Sequence, residues 1–396
     1  MKLYTVKNDI ASDKKIVLDD MILTKDIPTA AGSKMLEGYV SLFEATVAER
    51  LVAAGYSVSG KANVGEMSID LLGETSYFGS CEKDGALTLP AAEIVKSGEA
   101  QAALTFDVNG SPRRGAALSG IVYVKPTYGV VSRFGTIPAA CSGECVGVMA
   151  NSADVCASVL SAIAGHDAKD GTSHSDELCA TAVSTRKTVK RVALVKSLYD
   201  TVDGGEKAKL DGFKSFLEKE GVQVCEIDGE LLTAARVAWN ILMCAELCNN
   251  VSRYDGIKYG YRSQNYTTIG ELYTNSRTEA FGELLKTAIL YGSETLSDDN
   301  YMKMYDKAMR VRRVLSEYFG ELFAEYDALL LPAASRVYTA DDVKNDKYIA
   351  FKENLYTAPA SVTGLPTVVA GGVQLVGEAF SEGYLLELVK EYERGE

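Results

Sequence analysis

Histidine is nearly missing from this chain: His166 and His174 are the only two in 396 residues. Both fall in "AGHDAKDGTSHSDE", a polar stretch after an apolar helix, and are expected on a solvent-facing loop. A Ser-His-Asp hydrolase needs an imidazole beside its serine. A reactive serine here would need another base, and a lysine system is the natural alternative. Positive charge is also short, with 41 Lys and Arg against 54 Asp and Glu and a net charge of −13. Nonspecific affinity for nucleic acid comes from Lys and Arg, so direct binding of RNA or DNA is not expected, and any contact would pass through a partner. No apolar run approaches the roughly 20 residues that span a bilayer, so no membrane segment is expected. The start, "MKLYTVKNDIASDKK", has no apolar signal core, which fits a cytoplasmic protein. Eight cysteines are scattered without the paired spacings of a zinc site or a disulfide framework. Reduced thiols, no metal and no cofactor are the expectation.

What is present reads as α/β. Hydrophobic residues make up 47% of the chain, with 35 glycines, enough for a sizeable core with many loops. "KKIVL" (14–18) is a short buried strand and "SLFEATVAERLVAAG" (41–55) an amphipathic helix closed by glycine. "PAAEIVKSGEAQAALTF" (90–106) reads as helix, turn at Gly98, then strand. "SADVCASVLSAIAG" (152–165) is a helix capped by serine and ended by glycine. Strands at 189–199 and 222–228 flank a helix at 205–221, and residues 230–326 are mainly helical. A buried strand at 326–333, two strands in "GLPTVVAGGVQLVG" and a final helix from 381 to 396 complete the chain. Strands alternating with helices imply a mixed sheet covered on both faces. Repeats and linkers are lacking, so residues 1–396 are expected to form one domain.

The stretch "FDVNGSPRR" (106–114) sets Ser111 behind an Asn-Gly pair, where a sharp turn would expose its hydroxyl. Downstream, "VKPTYGVVSRFGTIPAACSG" (124–143) and "SAIAGHDAKDGTS" (161–173) resemble the amidase-signature family. "RYDGIKYGYR" (253–262), "KAMRVRRVL" (307–315) and "LYTAPASVTGLP" (355–366) are similar to its glutamyl-tRNA(Gln)/aspartyl-tRNA(Asn) amidotransferase A-subunit branch. The resemblance runs from about Ile16 to the C-terminal helix. It implies an amidase-signature α/β fold, glutamine or a small amide as substrate, and B-type and C-type amidotransferase subunits as partners. It also implies a Ser, cis-Ser, Lys triad with an oxyanion site at the glycine turn.

Carried over residue by residue, the triad is incomplete. The nucleophile position falls on Ser111, with Asp107, Gly110 and Arg113 matching. Pro112 departs from the pattern and removes a backbone N–H beside the oxyanion site. Asn109, also a departure, would take a positive φ only at a cost. Asp19 replaces the base lysine; an ordinary carboxylate is a poor acceptor for a serine proton. Leu87, in "GALTLP" (85–90), replaces the relay serine, and Thr88 is a weak substitute. In the glutamine pocket Arg312 matches the carboxylate clamp, competing with a plain helix-surface role. Tyr261 matches a pocket tyrosine, and Asn354 replaces an acid that would hold the substrate amino group. The family's N-terminal helical extension and the loop after "GLPTVV" are expected to be missing, baring apolar surface for a partner to cover. The expectation is a non-catalytic subunit or scaffold. The alternatives are an active amide hydrolase or glutaminase using Ser111 with Lys61 or Lys125, and an amino-acid-binding module.

Overall fold

The computed structural model of the chain describes residues 2–184 and 187–395. Glu396, the last residue of the expected final helix, lies outside them. The strands are β1 (Tyr4–Lys7), β2 (Lys15–Asp19), β3 (Ser57–Ala62), β4 (Glu82–Lys83), β5 (Ala86–Leu87), β6 (Ala102–Asp107), β7 (Val122–Lys125) and β8 (Cys145–Ala150). β9 (Arg191–Val195), β10 (Gln223–Ile227), β11 (Ala328–Pro332), β12 (Thr367–Ala370) and β13 (Val373–Gly377) follow. Eleven of them form one sheet in the order β1-β3-β2-β6-β8-β7-β12-β13-β11-β9-β10, with β4 and β5 a separate hairpin. β3, β2 and β6 run parallel, as do β11, β9 and β10, and the strands between pair antiparallel. This is the mixed sheet expected.

The helices are α1 (Thr46–Ala53), α2 (Pro90–Lys96), α3 (Ser111–Ser119), α4 (Ala153–Ile163), α5 (Asp176–Ala182), α6 (Lys196–Tyr199) and α7 (Gly204–Lys219). The helical region holds α8 (Glu230–Val251), α9 (Ile269–Ala280), α10 (Glu283–Thr295) and α11 (Tyr305–Glu325). Three short helices, α12 (Ala340–Asn345), α13 (Ala350–Glu353) and α14 (Ala358–Thr363), precede the last, α15 (Glu382–Gly395). Strand alternation places the two cores. Ile16, Leu18, Leu104, Phe106, Val146 and Val148 point to the larger core, shared with α4 and α8. Val17, Ala103, Met149 and Tyr123 point to the opposite face, where α2 and α3 supply Ile94, Val95, Ala116 and Ala117.

Three boundaries differ from the sequence reading. α1 begins at Thr46, not near 41, because Ser41 bonds its own neighbourhood: its hydroxyl donates to Phe43 O and accepts from Phe43 N. Such local bonds compete with helix. β9 stops at Val195 and the chain enters α6, so the strand expected to 199 is shorter. α8 is 22 residues and apolar enough to cross a membrane by length and composition, which a scan for unbroken apolar runs overlooks. Its Trp239, Leu242, Met243 and Leu247 are core residues, and it packs on α10, α11 and α14. After "GLPTVV", Gly371 and Gly372, at φ +56° and +79°, close a two-residue hairpin between β12 and β13.

Candidate active site

β2 and β6 are parallel neighbours, so their C-terminal ends reach the same sheet edge. One ends at Asp19 and the other at Asp107. Beyond β6 the chain turns through Gly110 at φ +102°, a left-handed value, and enters α3 with Ser111 as its first residue. Ser111 therefore opens a helix, not merely a turn. Pro112 sits in the first helical turn, where its missing N–H costs the helix nothing. Asn109 is not at positive φ; Gly110 alone absorbs the reversal. No side chain fits there: a Cβ on Gly110 would lie 2.3 Å from Thr357 Cβ.

A buried brace holds this loop. Arg113 pairs with Asp107 through Nε and Nη2, both at 2.9 Å, and donates to Thr357 O and Ser361 Oγ. Both partners are fully buried, and Tyr123 donates a further bond to Asp107 at 3.2 Å. Asn109 donates to Ile69 O and accepts from Asn354 Nδ2 at 2.8 Å. Asn354 also donates to Asn240 Oδ1 at 2.7 Å, so three amides run in a chain from the nucleophile loop to α8. Thus Asn354 serves as a bridge within the protein. The sequence reading missed Asn240, whose helical position carries no local signal.

Ser111 is 5% exposed, and its hydroxyl makes no hydrogen bond among the described residues. Asp19, where a base would stand, is buried and accepts from Phe106 N at 2.8 Å through Oδ2, while its Oδ1 has no partner. Burial pushes its carboxyl up to about 8, with neighbouring Asp20 and Asp107 adding to the rise. A carboxyl so raised is a stronger base once ionised but is mostly protonated at neutral pH. Asp19 makes no hydrogen bond to Ser111 among the described residues. Asp20 is raised by burial to about 7, and burial lowers Lys61 to about 8.

The other candidates are engaged elsewhere. Lys61 is buried and donates to Ile22 O. Lys125 is buried and donates to Leu365 O at 2.9 Å. Leu87, 2% exposed, packs with Leu71, Leu72 and Ile349 in a small apolar cluster. Thr88 donates its hydroxyl to Glu93 at 3.0 Å. Arg312, on α11, donates to Ser142 Oγ at 2.9 Å and Ser142 O at 2.8 Å, so its fork clamps a loop of the protein itself. Tyr261 donates to Glu279 at 2.6 Å and lies under Lys34, 4.1 Å from the ring centroid. Of the seven sequence-assigned positions, Ser111, Gly110 and Asn354 share one hydrogen-bonded neighbourhood with Asn109 and Thr357. Asp19 is tied to the same strand end through Phe106, whereas Leu87, Arg312 and Tyr261 are held by partners outside it. His166 is exposed, with Nδ1 3.0 Å from His174 O. His174 is half-buried against Phe380, with Nε2 3.0 Å from Tyr128 O, so it is less solvent-facing than expected.

One further buried cluster escaped the sequence. Arg114, 2% exposed, lies 3.5 Å from Glu353 and 5.3 Å from the Tyr338 ring centroid. Glu353 accepts from Ser335 N and Oγ, at 2.8 and 2.7 Å. A second arginine beside Arg113 reads as surface in sequence, and only tertiary packing buries it.

Known proteins share this architecture. The amidase family model matches residues 15–386. The chain is 35% identical over 397 residues to the glutamyl-tRNA(Gln) amidotransferase A-subunit of Acinetobacter baumannii, covering 95% of this chain and 81% of that protein. The corresponding protein of Coxiella burnetii is 34% identical over 400 residues, covering 96% and 83%. The crystal structure of the glutamyl-tRNA(Gln) amidotransferase A-subunit from Thermotoga maritima superposes with a TM-score of 0.81 at 26% identity, covering 99% of this chain and 87% of that one. The chain belongs to the amidase family.

Proposed function

We propose that this chain is a non-catalytic protein of the amidotransferase A-subunit type. It keeps the scaffold, has given up amide hydrolysis, and works as a subunit or scaffold beside a B-type amidotransferase partner, with a C-type partner in the same assembly. The observation that carries this reading is the Ser111 hydroxyl, which meets no base among the described residues. The replacement at the base position is committed to a backbone N–H, and the replacement at the relay position is packed in hydrocarbon. The relatives are named as subunits, which favours a life in an assembly. Leu42 and Phe43, 90% and 45% exposed, leave apolar surface for a partner to cover. A cytoplasmic location belongs to the same reading.

The test is affinity purification of the tagged chain from its own cell, with ammonia release from glutamine measured on what is recovered. Recovery of B-type and C-type subunits without Ser111-dependent ammonia is expected. Recovery of the chain alone would contradict the proposed role in an assembly. A second reading, an active amide hydrolase, is favoured by one feature: the Asp107–Arg113 brace and Gly110 still hold Ser111 at a helix N-terminus. That reading requires ammonia release abolished by Ser111→Ala.

A further inference from the structure

α8, α10 and α13 line an open surface cavity of about 560 Å³, a size that takes a small molecule. Val237, Tyr291 and Phe351 give it apolar walls, and Arg236 and Lys352 give it charge. No carboxylate lines it among the described residues. In a chain with 54 acidic and 41 basic side chains, a cavity of cationic character runs against the background.

Most of its polar groups are already satisfied. Lys352 is paired with Asp346 at 2.5 Å. Asn240 accepts from Asn354 and donates to Phe351 O at 2.9 Å. The Thr287 hydroxyl donates to Glu283 O at 3.0 Å. Arg236 is half-buried and makes no hydrogen bond or ion pair among the described residues, and the Tyr291 hydroxyl likewise has no hydrogen bond. What remains unused is therefore a guanidinium fork and a phenol O–H, both donors, beside aromatic and aliphatic walls. A guanidinium matches a carboxylate through two parallel bonds.

We propose that this cavity binds a monocarboxylate with an apolar body, its carboxylate on Arg236 and its body against Val237, Tyr291 and Phe351. A single unpaired cation among the described lining residues suits one negative charge better than the two of a phosphate monoester. The site stands apart from Ser111 chemistry and does not depend on whether that serine reacts.

Calorimetry with 4-phenylbutyrate, 4-phenylbutanamide and 4-phenylbutylamine tests the assignment on the full chain. One saturable site for the acid is expected, with the neutral amide at least about tenfold weaker and no binding of the amine. Arg236→Gln should weaken the acid by about tenfold or more, and Arg313→Gln, at an exposed position paired with Glu317, should leave it unchanged. Val237→Trp, introduced from a half-exposed position, should block binding by filling the cavity. Absence of saturable binding by the wild type, equal affinity for acid and amide, or an acid affinity indifferent to both Arg236→Gln and Val237→Trp would overturn the proposal. An equal loss in Arg313→Gln would overturn it too, by tracing the effect to overall charge.

Discussion

Asp19 shows how burial changes the chemistry of one carboxyl. A buried carboxyl resists ionisation because its anion is poorly solvated. Asp19 holds its proton to about pH 8, far above the usual carboxylate range. In the unfolded chain it would release that proton near pH 4. Between those two values the folded state binds the extra proton, so this residue's contribution to stability falls as pH rises through the window. Asp19→Asn, which keeps an acceptor for Phe106 N, removes that dependence. Urea unfolding should therefore show the variant and wild type nearly equal at about pH 3.5, below the unfolded value. The variant should become progressively more stable toward pH 8, by up to about 1.4 kcal/mol per pH unit. A stability difference independent of pH would show that Asp19 is not titrating in this window. That an aspartate stands at this strand end was legible from the sequence. Its protonation was not, because burial is a tertiary property.

At the scale of elements, the β6–α3 junction is what positions Ser111. Its conformation depends on one left-handed glycine and on the close approach of α14. Gly110→Ala would force a Cβ against Thr357 and strain the backbone at the same residue. It should cost more than about 2 kcal/mol in urea unfolding. Gly110→Ala/Thr357→Ala should recover only part of that loss, since the alanine keeps the Cβ at 2.3 Å, loses the Thr357 Oγ1 bond to Asn109 O and leaves the φ strain in place. Full recovery would mean that contact alone sets the cost. This junction was readable because "FDVNGSPRR" is local: a strand, an Asn-Gly turn and a helix start lie within nine residues. The Asn109–Asn354–Asn240 chain was not, since its members sit 245 and 114 positions apart. Arg312 was named but its partner was not: a fork matched to a substrate carboxylate bonds Ser142 equally well, and sequence does not distinguish them.

At the scale of the molecule, an eleven-stranded sheet spans nearly the whole described chain, with Asp19 at the end of β2. The sheet was foreseeable because strand and helix periodicities are local and each core face repeats them over many residues. Its order was not, because β12 inserts beside β7 across more than 240 positions. The scaffold depends on hydrophobic burial spread over more than a hundred side chains, whereas amide hydrolysis depends on three or four groups placed within hydrogen-bond reach. The second can be lost while the first persists, and Asp19 and Leu87 are both packed as parts of a stable interior. The most direct measurement is labelling by a fluorophosphonate, which captures a serine only when a base takes its proton. The wild type should label no more than Ser111→Ala at pH 7 to 9, while the Acinetobacter baumannii relative, treated in parallel, serves as the comparison. Labelling of the wild type that disappears in Ser111→Ala would contradict the account.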